Sequence, residues 1–246
     1  MNFHWPNPSL STIFKPSRVV LLGLWLALLP GVPQASPVTF DAHYEFYRDN
    51  SHVADTRLSL HQKEHQWIWT MQTEPRGFYR WLTSKKPFEE VRMIGSADAL
   101  QLQQMYKGDH PEQPAEQTTF FDNASGVIYH SDGKRNQQLQ LDFQGPVFSY
   151  LSIHLLYADM KRHASNSKTV DFFKDGELLK ATLTLQPAVK VVHDGVSHIA
   201  DRVTHRIEGS AKSLVYYYAG HDLAPLKIEQ IKQGKIANSM WRSRLN

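Results

Sequence analysis

The chain contains no cysteine among its 246 residues. This absence excludes disulfide bonds, thiol catalysis, thiolate metal sites and a lipid-modified N-terminal cysteine, so the hydrophobic core alone must stabilise the fold. The sequence also lacks a G-x-S-x-G elbow, a phosphate-binding loop and a dinucleotide fingerprint. No Ser, His and Asp residues form a recognisable set, and no catalytic residue or cofactor is assigned. The sequence therefore gives no positive support for an enzyme.

Charged residues are scarce at the N-terminus, where Lys15 and Arg18 are the only ones before residue 41. They precede an apolar run over residues 19–29, then proline, glycine and small residues up to Ala35. This order is typical of a secretory signal peptide and predicts cleavage near residues 1–35. The alternative is an uncleaved anchor, which needs about 20 apolar residues. Export is favoured because the run is shorter, and it implies a periplasmic location if the source is a Gram-negative bacterium.

The predicted mature domain, residues 36–246, has no large excess of positive or negative charge. Of the 27 lysines and arginines, all but Lys15 and Arg18 remain, which is 25 against 24 acidic residues. This balance gives no electrostatic reason to expect binding to nucleic acid or to an anionic membrane surface. The length is sufficient for one domain with a substantial core, and no membrane span is expected after cleavage.

The remaining chain is dominated by apolar residues that alternate with polar ones, a period typical of strands with one buried face. Examples are Leu58 and Leu60, and Trp67 and Trp69. Turn signals separate the segments at Asp49-Asn50, Asp132-Gly133, Asp175-Gly176, Asp194-Gly195 and Gln233-Gly234. About a dozen strands joined to their sequence neighbours predict an all-β fold. We expect an antiparallel meander that curves into a half-barrel or barrel-like sheet.

Residues 146–160 break this alternation. Val147, Leu151 and Leu155 follow one another at intervals of four, and Pro146 suits the first turn of a helix. The spacing predicts a single helix over about 146–160, packed on the otherwise wet apolar face of the curved sheet.

Five segments, in this order and spacing, carry a family resemblance. They are HYEFYRDNSHVADTRLSL from His43, EPRGFYRWLTSKKPFEEVRMI from Glu74, FFDNASGVIYHSDGK from Phe120, FSYLSIHLLYADM from Phe148 and HDLAPLKIEQIKQGK from His221. Together they resemble the bacterial domain of unknown function 3108 family across nearly all of residues 40–244. Asn123 replaces a frequent aromatic residue, and only Leu151-Ser152 remains of an Asp-Pro-Leu-Ser phrase. The resemblance implies an exported, all-β, barrel-like fold and transfers no catalytic residue.

Histidines offer a weaker metal hypothesis. His61, Glu64 and His65 spell the H-x-x-E-H pattern of inverted zinc peptidases, which requires a helix. The flanking segments alternate, so this stretch is predicted to form a hairpin tip with solvated histidines. A surface zinc or copper site among His193, His198, His205 and His221 is the alternative to ordinary surface histidines. No metal ligand is assigned.

Aromatic residues are dense, and cross-strand core packing explains most of them. The segment RGFYRWLTSKK differs because its aromatics lie among cations. Arg76, Tyr79, Arg80 and Trp81 are therefore predicted to contact an amphiphile with an anionic head or an acidic glycan. A solvated, charged loop is the alternative for the same residues.

These observations lead to one leading functional hypothesis and two alternatives. The leading one is a non-enzymatic exported envelope protein that binds a lipid-like or glycan ligand in the concave face of its sheet. The first alternative is a structural or assembly partner of other envelope proteins, acting through strand edges or loops. The more distant alternative is a His-dependent metalloenzyme.

Overall fold

A computed structural model describes residues 39–95, 99–193, 195–220 and 223–243. The predicted signal peptide, the Asp194 half of one predicted turn, and His221 lie outside these residues. The strands are β1 (Phe40–Arg48), β2 (Ser51–Lys63), β3 (Gln66–Pro75), β4 (Phe88–Ile94), β5 (Gln101–Gly108), β6 (Gln117–Asp122), β7 (Val127–Asp132), β8 (Gln137–Asp142), β9 (Val147–Phe148), β10 (Ser167–Lys174), β11 (Glu177–His193), β12 (Val196–Ile207), β13 (Lys212–Tyr218), β14 (Lys227–Lys232) and β15 (Lys235–Arg242). The helices are α1 (Tyr79–Leu82) and α2 (Ile153–Arg162).

The strands of the described residues form one sheet in the order β8-β7-β6-β5-β4-β3-β2-β1-β15-β14-β13-β12-β11-β10-β9. Chain neighbours pair antiparallel through tight turns, as at Asp175-Gly176, where both residues have positive φ. β1 pairs antiparallel with β15 and joins the two ends of the chain in the middle of the sheet. The predicted all-β antiparallel meander is confirmed, with more strands than the dozen expected.

The sheet curls so that its two halves approach each other. Lys107 of β5 forms an ion pair with Asp175 in the β10–β11 turn, at 2.7 Å between Nζ and Oδ1. Leu139 of β8 and His130 of β7 lie next to Gly176 in the same turn. Register shifts in four strand pairs add local bends, because a bulge increases strand twist.

The predicted helix over about 146–160 is present as α2, but it begins and ends later in the chain than predicted. Val147 and Phe148 form β9, which pairs in parallel with Asp171 and Phe172 of β10, so this segment must be extended. A parallel pair needs a crossover connection, and α2 supplies it. The helix therefore begins at Ile153 instead of near residue 146. A second, one-turn helix, α1, was not predicted.

The inward-facing side chains form one large hydrophobic cluster between the sheet and α2. Its largest fully buried members are Trp69, Tyr44, Phe121, Phe172, Phe173, Leu58, Leu60, Met93, Ile128, Ile153, Leu156 and Met160. They come from both halves of the sheet and from the helix, so the core holds the curled sheet together. Within the described residues, neither helix is long and apolar enough to cross a membrane.

Candidate binding surface

The four predicted ligand-contact residues lie in the connection between β3 and β4. Arg76 and Arg80 line an open groove of about 560 Å³ together with Asp55, Glu74 and Lys86. The Arg76 Nε–H donates a hydrogen bond to Asp55 Oδ2, and Lys86 Nζ lies 3.2 Å from Glu74 Oε1. Acidic residues therefore neutralise two of the cations that were expected to meet an anion.

Tyr79 and Trp81 do not line this groove. Both belong to α1, none of whose four residues is buried. Trp81 is 86% exposed and Phe78, just before the helix, is 71% exposed. The structure thus brings the two arginines to one groove, and neither aromatic residue is among those that line it. A ligand contact by any of the four residues stays a prediction.

The concave face of the sheet, where the ligand was expected, is filled by protein. The ring of His154 on α2 stacks on Trp69 of β3, with centroids 4.9 Å apart and planes 15° apart. On its other side His154 meets Tyr216 and Tyr218 of β13 edge-on. His154 Nδ1 and the Tyr218 hydroxyl are joined by a 2.6 Å hydrogen bond. One helical side chain thus bridges the two halves of the sheet.

Burial also changes the acid–base behaviour of the interior. Desolvation, with a smaller contribution from nearby His205, lowers the pKa of His154 to about 3. Desolvation lowers the pKa of His205 to about 4, and its Nε2 has no hydrogen-bond partner among the described atoms. Both histidines are therefore neutral core residues at neutral pH. A low pKa makes them weak bases, whereas general base catalysis is most efficient with a pKa close to the working pH.

A small crevice lies at the seam where β4–β6 meet the β10–β11 turn. Its volume is about 20 Å³, and Glu89, His130 and Tyr150 are among its lining residues. That volume accommodates one water molecule, whereas ligand pockets have volumes of roughly 300–1,000 Å³. Desolvation raises the pKa of Glu89 to about 7, partly offset by Lys107. The α2 helix and the aromatic side chains thus occupy much of the space inside the sheet, and a ligand there stays a prediction.

The H-x-x-E-H segment forms a hairpin tip, as predicted. His61 lies in the exposed last three residues of β2. Glu64 and His65 form the turn to β3, and Glu64 has a φ of 56°. A strand and a turn cannot place both imidazoles on one helical face. Among the described residues no group of three His, Asp or Glu side chains has the geometry of a metal site. His205, considered above as a surface ligand, is buried in the core.

The most distinctive exposed feature lies on the outer surface of β5–β8. Phe120 of β6 and Tyr129 of β7 stack with centroids 6.4 Å apart, and both are more than two-fifths exposed. They lie in an open groove of about 480 Å³. We call this surface the β5–β8 face; its outward residues are Gln104, Tyr106, Thr118, Phe120, Tyr129, Ser131, Gln138 and Gln140.

Strand register arranges these residues in two rows. One row runs from Gln104 through Phe120 and Tyr129 to Gln140. The other runs from Tyr106 to Gln138 through Thr118 and Ser131. Amide groups therefore flank the aromatic pair in one row, and hydroxyl groups lie between a tyrosine and a glutamine in the other. The surface offers both stacking area and hydrogen-bonding groups.

This face ends at a free strand edge. Within the described residues β8 pairs only with β7, and we call its other side the β8 edge. β8 contains no lysine, arginine or proline, and its register with β7 has no bulge. Charges, prolines and bulges are the usual means of protecting an edge from pairing with another chain. The β8 edge lacks all three except for Asp142 at its end.

The sequence analysis missed this surface. The alternation of Leu139 and Leu141 was visible and correctly indicated a strand. Three glutamines within residues 137–140, without a basic residue, were the only available signal for an unprotected edge. The signal is incomplete, because the sequence does not reveal which strand lies at the border of the sheet.

Comparisons with known proteins extend to the fold only. No family model matches the chain, and no curated protein matches it either. A crystal structure of a β-barrel-like protein of the domain of unknown function DUF1849 from Brucella abortus is similar, with a TM-score of 0.53. The identity is 8%, and the match covers 85% of this chain and 98% of that one. The resemblance to the domain of unknown function 3108 family stays a prediction, and the chain has a β-barrel-like fold.

Proposed function

We propose that this protein is a non-enzymatic, exported envelope protein that assembles with another polypeptide through the β8 edge and the adjoining β5–β8 face. The observation that carries the proposal is the six-residue, unprotected edge strand beside the exposed Phe120–Tyr129 stack. An exposed edge of this kind is a template for an added strand. Backbone hydrogen bonds then supply affinity, and outward side chains supply specificity.

The state of the interior supports binding on the outside. A carrier of lipid or glycan in the concave face needs an internal pocket of several hundred Å³. The crevice at Glu89 has about 20 Å³, and Trp69, His154 and Tyr218 are packed where such a ligand would lie. The assembly reading therefore replaces the ligand carrier as the leading hypothesis.

A glycan on the same outer face is the second candidate. It is favoured by the 480 Å³ groove, in which the Phe120–Tyr129 stack is flanked by the amides of Gln104 and Gln140. Aromatic faces and amide hydrogen bonds are suited to a neutral sugar, and neither requires a free strand edge.

In-cell photocrosslinking distinguishes these readings. A photoreactive amino acid at Gln140 is expected to yield a discrete protein adduct. The matched position is Thr184, which is exposed on β11 and has strand partners on both sides. The double substitution Gln138→Lys/Gln140→Lys, with the probe moved to Tyr129, is expected to abolish the adduct, because edge lysines oppose strand addition.

Equal labelling at Gln140 and Thr184, or no protein adduct at either, would overturn assembly through the β8 edge. Glycan arrays with the purified domain provide the other arm. Binding that is lost in Tyr129→Ala but kept in Gln138→Lys/Gln140→Lys would favour the glycan candidate, because only the stacking surface is then required.

A further inference from the structure

We infer that the strand added to the β8 edge is β8 of a second copy of this chain, paired antiparallel about a two-fold axis. The inference rests on the proposed function, in which this edge receives a strand, and it names the partner. A two-fold interface uses the same surface on both subunits, so that surface must be complementary to itself. The following features of β8 meet this condition.

The first feature is that the sheet has one long free edge among its described strands. At the other border, the two residues of β9 cover Asp171 and Phe172 of β10, so the longest unpaired stretch there is the four residues 167–170. β8 contains six residues and remains regular throughout. Edge-to-edge pairing between copies is therefore directed to β8 and not to either border at random.

The second feature is the face of the sheet on which each side chain of β8 lies. Gln138 and Gln140 are exposed on the outer face, whereas Leu139 and Leu141 are partly buried on the inner face. Residues opposite each other in an antiparallel pair lie on the same face of the sheet. A symmetric pairing centred on Leu139 obeys this rule, because Gln138 of each copy then faces Gln140 of the second copy.

The third feature is the chemistry of the paired groups. A glutamine amide carries both a donor and an acceptor, so two glutamines satisfy each other without a different partner residue. On the inner face, Leu139 meets Leu139 of the second copy, and each Leu141 faces Gln137 across the axis. No like charges are brought together within the six-residue strand.

The fourth feature is the charge at the two ends of β8. Asp142 ends the strand and is exposed, while Arg135 lies before its first residue with a side chain 63% exposed. The Leu139-centred register places Asp142 of one copy opposite Asn136 of the second and next to its Arg135. Arg135 also lies 3.6 Å from Asp132 of its own copy, measured between Nε and Oδ2. Exposed ion pairs contribute little to affinity, but they discriminate between orientations. Parallel pairing would instead place the two Asp142 carboxylates side by side.

This arrangement also extends the β5–β8 face. The row that runs from Phe120 through Tyr129 to Gln140 continues into Gln138 and Ser131 of the second copy. Two grooves of about 480 Å³ thereby become parts of one surface that crosses the axis. The dimer thus doubles the aromatic and amide surface available to any further partner.

Engineered cysteines test the register, because the natural chain contains none. The variant Gln138→Cys/Gln140→Cys is expected to form a disulfide-linked dimer under mild oxidation, since opposed antiparallel residues have Cα separations compatible with a disulfide. The control is Thr182→Cys/Thr184→Cys, with the same spacing on the outer side of β11, where both neighbours are already paired. We expect the control to remain monomeric on a non-reducing gel.

Light scattering coupled to size exclusion tests the dimer without cross-linking. The mature domain, residues 36–246, is expected to elute as a dimer. Gln138→Lys/Gln140→Lys is expected to raise the dimer dissociation constant at least tenfold, while Thr182→Lys/Thr184→Lys leaves it unchanged. Far-UV circular dichroism identifies any variant that fails to fold, and the cysteine pair then provides the deciding result.

A monomeric wild-type domain that also forms no Gln138–Gln140 disulfide would overturn the inference. If the in-cell probe at Gln140 then still yields an adduct with a different protein, the β8 edge receives another chain and the proposed function stands. If the probe also yields no adduct, the inference and the proposed function both fail.

Discussion

Replacing Trp69 by alanine is expected to lower the free energy of unfolding by about 3–5 kcal/mol, the range observed when a large buried aromatic is removed from a core. Trp69 has no exposed surface. It contacts Phe40 edge-on, with ring centroids 5.2 Å apart, and stacks on His154 of α2. The substitution removes this contact between sheet and helix and leaves a cavity that a sheet with paired strands cannot collapse to fill.

Urea unfolding followed by circular dichroism measures this effect, with Trp81→Ala as the matched control. Trp81 is 86% exposed on α1, so its truncation is expected to change the free energy of unfolding by less than about 0.5 kcal/mol. A loss below about 1 kcal/mol for Trp69→Ala would contradict a packed interior. It would also revive the hypothesis of a ligand inside the sheet, because the packed interior is what argues against that ligand.

Acidification is expected to destabilise the fold well before its carboxylates are fully protonated. Burial depresses the pKa of His154 to about 3 and that of His205 to about 4, whereas both titrate near 6.5 when unfolded. Below pH 6.5 the two histidines therefore bind protons in the unfolded chain but stay unprotonated in the native state. The neutral histidines contribute stability above this pH, and that stability is lost as the pH falls toward the folded pKa values. Burial shifts the pKa of His130 in the same direction.

Glu89 acts with the opposite sign. Its pKa is raised from 4.5 to about 7, so between these values the native state binds a proton that the unfolded chain releases. Glu89 therefore favours the native state as the pH falls from 7 to 4.5 and offsets one histidine. Two histidines against one glutamate leave a net difference of one proton, and His130 adds to it. We expect the free energy of unfolding to fall by roughly 1 kcal/mol per pH unit on average between pH 6 and 4.5, with the steeper part below pH 5.5.

Unfolding free energies measured at several pH values test this expectation with His205→Leu. The Nε2 atom of His205 has no hydrogen-bond partner among the described atoms, and its ring lies 4.8 Å from that of Phe172. Leucine removes an unpaired polar atom, so stability at pH 7 should be unchanged or higher, and the dependence on pH should weaken by about one proton. The control is Thr204→Leu on the same strand, which removes no titratable group. Equal slopes in wild type and His205→Leu would contradict a neutral buried His205.

The expected result at Trp69 and the proposed assembly through β8 are connected. The packing of Trp69 against α2 is the reason why the proposed function was placed on the outer surface. The outer surface in turn offers two unequal features. The exposed Phe78, just before α1, and Trp81 within it do not indicate the chemistry of a partner. The β8 edge combines free strand geometry with a self-complementary side-chain pattern.

The sequence by itself determined the local structure of this protein. Alternating leucines and tryptophans predicted strands, because a half-buried strand has a period of two. Asp175-Gly176 predicted a hairpin turn, since both residues must adopt positive φ. The hairpin at His61 and His65 followed from the same local rules, and the resulting fold class is confirmed by the sheet and its β-barrel-like structural neighbour.

The tertiary structure alone decided what depends on contacts between distant segments. The helix begins at Ile153 because Val147 and Phe148 pair with β10, more than twenty residues away. His154 and His205 are core residues because the curled sheet encloses them, although their neighbours in sequence do not indicate it. Likewise β8 reads as an ordinary strand, and only the pairing order of the whole sheet makes it an edge. Burial and edge position arise from long-range packing, which a local pattern of residues does not encode.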